Sequence, residues 1–241
     1  MMPDLAILAG GLATRMRPAT ETIPKSLLPV AGRPFLDHQL ALLKRQGISR
    51  VVLCAGHLGG QIRDFAGDGS AWGLKVEYSF DGPVLLGTGG ALRRALPLLS
   101  DPFWVLYGDS YLEMDLGAAL SAWQASGLEA LMTVYQNEGK YDTSNVIFRD
   151  GKVLRYDKTA RDPAMLHIDH GLGLLRHSSF GRVGDGSFDL AGLYGQLARA
   201  GQLAGFEASR RFFEIGSAEG LAETERHLLS QGGTASKEED R

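Results

Sequence analysis

Leu5-Ala6-Ile7-Leu8-Ala9-Gly10-Gly11-Leu12-Ala13-Thr14-Arg15-Met16-Arg17-Pro18 joins a short apolar run to two glycines and a basic segment. An apolar run of this length fits a strand buried on both faces. The two glycines let backbone N–H groups approach an anion with no Cβ in the way. Arg15 adds fixed positive charge, and so does Lys25 in Pro24-Lys25-Ser26-Leu27-Leu28-Pro29-Val30. Arginine can fork across two phosphate oxygens, whereas lysine acts as a point charge. Taken alone, the pattern also suits a glycine turn followed by a solvated basic loop. It is not a P-loop, which needs Gly-x-x-x-x-Gly-Lys-Ser/Thr. Nor is there a dinucleotide fingerprint, because Gly87-Thr88-Gly89-Gly90-Ala91-Leu92 has Leu92 where the third glycine belongs.

Working outward, residues 12–33 read as irregular, broken by Pro18, Pro24, Pro29 and Gly32. Pro34 opens a helix to about Gln46, and Gly47 stops it. Residues 50–55 read as a buried strand, 59–65 as a short helix, 74–80 as a strand, 89–99 as a helix and 103–107 as a strand. Strand–helix alternation predicts an α/β sheet, mainly parallel and flanked by helices. Ligands of such sheets sit beyond the carboxyl ends of the strands, where Gly10-Gly11 and Gly108-Asp109 fall. The second half is richer in strands: 128–135, a hairpin of 145–148 and 152–156 around Asp150-Gly151, 165–175, 202–206 and 211–215. Helices are expected at 188–200 and 217–229, the latter capped by Ser217. The reading is one unit over 1–230 with a β-rich lid or acceptor lobe, and a disordered tail at 231–241.

Glycine makes up 32 of the 241 residues, against a usual ~7%. There is no Gly-X-Y repeat, so the glycines point to tight turns or close ligand approach. A net charge of −3 argues against a general nucleic-acid partner. The single cysteine, Cys54, excludes an internal disulfide and reads as a buried small hydrophobe. No apolar stretch approaches the ~18 residues of a membrane helix, and the start lacks a signal peptide's basic region. No membrane association and a cytoplasmic location are the expectations.

The chain resembles the sugar-1-phosphate nucleotidyltransferases. Their signature, Leu-Ala-Gly-Gly-x-x-Thr-Arg-(x)-x-Pro and then Pro-Lys-x-Leu-x-Pro-Val, stands here as Leu8–Pro18 and Pro24–Val30. Further matches are Leu86-Gly87-Thr88-Gly89-Gly90-Ala91-Leu92, Tyr107-Gly108-Asp109, Tyr156-Asp157-Lys158 and Glu214-Ile215-Gly216-Ser217. The resemblance spans about residues 4–230. It implies a Rossmann-like nucleotide-diphospho-sugar transferase fold with a small β-rich sugar-binding lobe. It also implies a nucleoside triphosphate and a sugar 1-phosphate as substrates, Mg²⁺ as cofactor, and an NDP-sugar and pyrophosphate as products. Such products are precursors for cell-surface polysaccharide. A homo-oligomer stays open.

The resemblance further implies roles for individual residues. Leu8, Ala9, Gly10, Gly11 and Thr14 would hold the nucleotide, with Gly87, Thr88 and Gly89 lining the base and ribose pocket. Arg15 and Lys25 would meet the phosphates, and Lys158 the sugar phosphate. Asp109 and Glu214 would ligate Mg²⁺; Asn145, Asp169 and Gly171 would line the sugar pocket. Three departures stand out. Glu214 replaces the usual second metal Asp, Asp157-Lys158-Thr159 replaces Glu-Lys-Pro, and Asp169-His170-Gly171 replaces Asn-Ala-Gly. An ionised Asp only accepts hydrogen bonds, whereas Asn also donates. His167 and His170 suit a metal site less well than polar pocket lining. Asp142-Thr143-Ser144-Asn145 suits either sugar hydroxyls or a polar turn.

No hexapeptide repeat is read in these residues, which disfavours a bifunctional acetyltransferase-uridylyltransferase. Among small members, Leu86 to Ala91 looks most like the D-glycero-D-manno-heptose 1-phosphate guanylyltransferases. Asp68 to Leu74 is shared with those and with the N-acetylmuramate 1-phosphate uridylyltransferases. Guanylyl transfer to a heptose or mannose phosphate is the favoured expectation. The rivals are other nucleotidyl donors, a non-catalytic nucleotide-sugar-binding homologue, and a dinucleotide-binding oxidoreductase that the broken glycine fingerprint disfavours.

Overall fold

The computed structural model describes residues 2–160, 162–184 and 186–235, the last four without their side chains. Its strands are β1 (Leu5–Leu8), β2 (Pro29–Val30), β3 (Arg33–Pro34), β4 (Arg50–Ala55), β5 (Lys75–Phe80), β6 (Phe103–Tyr107) and β7 (Ser110–Tyr111). Then come β8 (Ala130–Gln136), β9 (Val146–Arg149), β10 (Lys152–Tyr156), β11 (His167–Leu175), β12 (Leu203–Glu207) and β13 (Phe213–Glu214). The helices are α1 (Phe35–Arg45), α2 (Gly59–Ala66), α3 (Gly87–Ala95), α4 (Leu116–Ser126), α5 (Leu190–Arg199) and α6 (Ala218–Ala235).

Nine strands form one sheet in the order β5-β4-β1-β6-β11-β8-β12-β10-β9. β5, β4, β1 and β6 run parallel. β11 lies antiparallel to both β6 and β8, and β12 is parallel to β8. So β1, β4, β5, β6, β8 and β12 all point the same way, and their carboxyl ends share one edge. From β1 the chain builds outward through β4 to β5, then crosses back to β6 on the other side of β1. The β1–β6 boundary is therefore the topological switch point, where a ligand crevice is expected.

Side-chain alternation explains why these strands are buried twice over. Leu5 and Ile7 of β1, Val51 and Leu53 of β4, and Trp104 and Leu106 of β6 pack into one core. That core is covered by Leu36 and Leu40 of α1, Ile62 of α2, and Leu116 and Trp123 of α4. Ala6, Val52, Cys54, Phe103 and Val105 enter the opposite core with Leu92 of α3 and Leu193 and Leu197 of α5. Period-two burial on both faces is what a sheet between two helix layers requires. The β9–β10 hairpin turns through Asp150 (φ 50°) and Gly151 (φ 73°), the left-handed pair of a tight two-residue turn.

Helix α4 was not legible in the sequence. Asp115 caps it by accepting from the Ala118 N–H at 2.9 Å, and Gly127 ends it in the left-handed region. Between those signals Leu116, Ala119, Leu120 and Trp123 fall at helical spacing and face the core, but the exposed alanines at 118, 122 and 125 blur the contrast between the two faces. At the other end, α6 continues to Ala235, into the stretch expected to be a tail. Residues 236–241 lie outside the described residues. Ser217 caps α6 as expected, accepting from the Gly220 N–H at 3.0 Å. Among the described residues no helix is long and apolar enough to cross a membrane.

Candidate active site

Two cavities open on the carboxyl edge of the sheet and meet at Tyr107 and Asp109. The first, of about 250 Å³, is lined by Leu8–Gly11, Lys25, Asp81, Leu85, Gly87 and Thr88, among others. Much of its wall is backbone and apolar surface. A Cβ on Gly11 would meet nothing within 4 Å. The fold therefore does not demand glycine there; the open space in front of it does. By contrast, a Cβ on Gly108 would stand 2.5 Å from the Leu8 carbonyl oxygen, so glycine lets the ends of β1 and β6 close together.

Lys25 Nζ lies 2.5 Å from Asp109 Oδ2, with both side chains about one-fifth exposed. The pair joins the second part of the signature to the Tyr107-Gly108-Asp109 motif across 84 residues. Thr88 lines the first cavity, but its hydroxyl donates to Asp189 Oδ1 at 2.9 Å and accepts from the Leu190 N–H at 2.8 Å. Its hydrogen bonds thus tie α3 to the start of α5. Gly89 is outside the cavity. Its would-be Cβ falls 2.1 Å from the Phe188 ring, so that glycine serves helix packing. Helix α3 begins at Gly87 rather than Gly89. Thr14 is exposed and lines neither cavity.

The second cavity, of about 370 Å³, is lined by Arg15, Asp142, Thr143, Asn145, Lys158, Asp169, His170, Gly171 and Glu214, together with Phe212 and its neighbours. Arg15 lies at this cavity and not at the first. Backbone pairing brings the far end of the chain to Asp109. β13 pairs with β7, setting Glu214 opposite Ser110, and the Ile215 N–H donates to the Asp109 carbonyl at 3.0 Å.

Burial and the neighbouring carboxylates of Asp109 and Asp142 push the Glu214 carboxyl up, against the opposing pull of Arg15 and Lys25. A hard divalent cation between Asp109 and Glu214 would relieve that repulsion, and oxygen donors are what Mg²⁺ prefers. Among the described residues no group of three or more His, Cys, Asp or Glu side chains converges as a ready-made metal cage. Two carboxylates plus substrate phosphates are the usual Mg²⁺ arrangement, so the donor set fits.

Two of the three departures have local hydrogen-bond partners. Asp157 accepts from the Thr159 and Ala160 N–H groups, both at 2.9 Å, and is held near 2 by those bonds. That turn presents Lys158, whose Nζ sits 5.0 Å from the centre of the Tyr107 ring. Asp169 accepts from the Tyr156 hydroxyl at 2.9 Å and from the Gly171 N–H at 3.0 Å. Both carboxylate oxygens are thereby engaged within the protein. Asn145 supports it, accepting from the Asp169 N–H at 2.9 Å. His170 is buried, bonds the Arg210 carbonyl through Nε2 at 2.9 Å, and is lowered to about 4 by burial. It is neutral at physiological pH. His167 instead pairs with Glu207 at 3.2 Å, so the two histidines do not converge.

Sequence reasoning missed Asp81. It is buried in the first cavity, raised by burial, and accepts from the Leu86 N–H at 3.2 Å. Its place at the end of β5 was the available signal. Cys54 also touches this cavity, but burial pushes its thiol up to about 12, so it stays protonated.

The Nucleotidyl transferase family matches residues 5–144. The chain belongs to this family. It is 46% identical over 114 residues to the N-acetylmuramate alpha-1-phosphate uridylyltransferase of Neisseria meningitidis serogroup B, covering 47% of this chain and 49% of that one. A D-glycero-alpha-D-manno-heptose 1-phosphate guanylyltransferase of Campylobacter jejuni is 36% identical over 110 residues, 46% of this chain and 49% of that one. The chain thus spans about half the length of these curated relatives. An N-acetylmuramate alpha-1-phosphate uridylyltransferase of Caulobacter vibrioides is 27% identical over 237 residues, 94% of this chain and 97% of that one. The crystal structure of HddC from Yersinia pseudotuberculosis superposes with a TM-score of 0.81 at 24% identity, covering 94% of this chain and all of the other. That likeness establishes the fold.

Proposed function

We propose that this chain transfers a nucleotidyl group from a nucleoside triphosphate to a sugar 1-phosphate. The observation that carries the reading is the meeting of two cavities at Tyr107 and Asp109, one backbone-lined and one bearing Arg15 and Lys158. The first accommodates the nucleotide and the second the acceptor. A phosphate oxygen of the sugar 1-phosphate attacks the α-phosphorus. The bond from that phosphorus to the bridging oxygen breaks, and pyrophosphate leaves with the electron pair. No protein nucleophile is needed; catalysis is positioning and charge stabilisation.

Leu8 to Gly11 offer backbone to the nucleotide. Lys25 leaves Asp109 for the phosphates, Arg15 reaches from the second cavity across the shared boundary to steady the leaving pyrophosphate, and Lys158 holds the acceptor phosphate. Asp109 and Glu214 would hold Mg²⁺, which when bound neutralises triphosphate charge.

UTP with N-acetylmuramate 1-phosphate is the leading pair, supported by the relative aligned over nearly its whole length. GTP with D-glycero-D-manno-heptose 1-phosphate, or with mannose 1-phosphate, is the second reading. It is favoured by the Leu86 to Ala91 motif and the guanylyltransferase relative. A non-catalytic homologue is disfavoured because Arg15, Lys25 and Asp109 are all in place. A pyrophosphate-release assay with Mg²⁺, crossing the four common nucleoside triphosphates with these acceptors and glucose 1-phosphate, is the test. Release with one pair supports transfer and names the substrates. No release with any pair overturns the reading for those substrates. We also infer a cytoplasmic setting, where nucleoside triphosphates are available.

A further inference from the structure

The acceptor cavity is roofed by two segments that share no strand. Residues 137–145 wind around buried Asn137. Its Nδ2 donates to the Asp142 carbonyl at 2.6 Å and to Ser144 Oγ at 3.1 Å, and its Oδ1 accepts from the Tyr141 N–H at 3.2 Å. This winding turns Asp142 and Thr143 toward the cavity and leaves Tyr141 43% exposed. The ends of the loop are fixed: the Asn137 and Glu138 N–H groups donate to the Leu166 carbonyl, and the Asn145 N–H to the His167 carbonyl. The second segment, 208–214, supplies Phe212 and Glu214 to the same cavity.

Arg211 links them. Its guanidinium carbon lies 3.9 Å from the Tyr141 ring centre and 4.8 Å from that of Phe213. It also donates to Glu223 Oε2 of α6 at 2.7 Å and to the Phe212 carbonyl at 3.1 Å. A planar guanidinium can stack on a ring while bonding a carboxylate in its own plane; an ammonium cannot. None of the described contacts of Arg211 is to a cavity-lining side chain, so it acts through others.

We infer that Arg211 is a positioning residue for the acceptor, clamping the Tyr141 ring so that Asp142 and Thr143 stay over the sugar hydroxyls. The inference rests on the proposed nucleotidyl transfer to a sugar 1-phosphate. It adds the device that sets acceptor affinity. None of the described contacts of Arg211 is to a residue that lines the nucleotide cavity.

The test uses the full chain and whichever of UTP with N-acetylmuramate 1-phosphate or GTP with D-glycero-D-manno-heptose 1-phosphate the wild type turns over. Arg211→Met and Tyr141→Ala are each expected to raise the acceptor KM about fivefold, with the nucleotide KM unchanged. Tyr141→Phe keeps the ring and restores wild-type acceptor KM. The Arg211→Met/Tyr141→Ala double variant is no worse than either single one. Equal rises in both KM values, Tyr141→Phe as weak as Tyr141→Ala, or additive losses overturn the inference. Amide hydrogen exchange across 138–144 without substrate separates this from failure of the activity itself. Faster exchange in Arg211→Met supports the clamp even if no pair is turned over, and unchanged exchange overturns it.

Discussion

The two cavities are built from different materials. On the β1–β6 side the walls are chain ends and glycines: Gly10 and Gly11 after β1, Gly108 after β6, Gly87 opening α3. On the β11 side the walls are side chains held by hydrogen bonds from elsewhere in the chain, as Asp169 is by the Tyr156 hydroxyl and His170 is by the Arg210 carbonyl. A backbone wall tolerates few residue types, because a Cβ would block it. A side-chain wall can be rebuilt many ways around a different ligand. The family match over residues 5–144 covers the backbone-built side. The three departures from the family pattern, Asp157-Lys158-Thr159, Asp169-His170-Gly171 and Glu214, all fall on the other. Asp109 stands where the two meet and belongs to both.

The largest effect is therefore expected at that boundary. Asp109→Asn removes the charge that pairs with Lys25 and a carboxylate from both cavities, and turnover should fall on the order of 10³-fold. Steady-state pyrophosphate release measures it. Near wild-type turnover would mean that the junction is a contact between two halves and not the reacting centre.

Glu214 comes next, since its position depends on the β7–β13 pairing and its identity departs from the pattern. Its carboxyl is raised above the ordinary value of 4.5, with burial as the leading cause. A raised folded-state value means that the folded chain holds this proton more tightly than the unfolded chain. The group does not oppose folding below that ordinary value, and stability is lost as pH rises above it. Glu214→Gln should therefore melt higher than the wild type near neutral pH and match it below about pH 4. Turnover should nevertheless fall on the order of 100-fold. Adding Mg²⁺ with nucleotide should raise the melting temperature of the wild type more than that of Glu214→Gln. A variant that melts no higher and works as well would remove Glu214 from the site.

A smaller and more selective effect is expected at Lys158. Replacing it with Met removes one charge-assisted contact, worth about 10- to 100-fold in affinity. The acceptor KM should rise by that factor while the nucleotide KM holds. A matching rise in the nucleotide KM would erase the division between the cavities.

The same contrast explains what the sequence disclosed. The sheet was legible because β1, β4 and β6 carry apolar runs buried on both faces, bounded by glycine. The first cavity was legible because much of its lining falls in short unbroken motifs, Leu8-Ala9-Gly10-Gly11, Gly87-Thr88 and Tyr107-Gly108-Asp109. Helix α4 was hidden because exposed alanines blur the apolar face that Leu116, Leu120 and Trp123 form. Asp81 was hidden because it belongs to no run and joins the site only through the parallel alignment of β5 with β4. The Arg211–Tyr141 contact spans 70 positions and depends on the tertiary fold alone. Thr88 and Gly89 show the reverse case, a contiguous motif whose two residues part company in the fold. Their motif was read as ligand contact; Thr88 does line the first cavity while its hydroxyl ties α3 to the start of α5, and the bare Cα of Gly89 lies outside it, against Phe188.

Gly11 and Gly89 allow the finest separation of the two meanings of glycine. In Gly11→Ala the new methyl group enters open cavity, with nothing within 4 Å. Its melting temperature should stay within about 2 °C of the wild type. Its nucleotide KM should still rise several-fold, because the methyl occupies space a nucleotide needs. In Gly89→Ala the methyl would lie 2.1 Å from the Phe188 ring. Alanine in a helix favours stability by about 1 kcal/mol over glycine, but overpacking costs ~1–3 kcal/mol. The clash wins when Phe188 cannot swing away, and its ring is also held by Arg93, whose guanidinium carbon lies 4.8 Å from the ring centre. Gly89→Ala should thus lower the melting temperature by a few degrees and shift the nucleotide KM less than Gly11→Ala does. Calorimetry and initial rates on the two variants check both halves. If Gly11→Ala loses stability and keeps its nucleotide KM, the first cavity's glycines are packing devices, and the backbone-built wall is not a nucleotide surface.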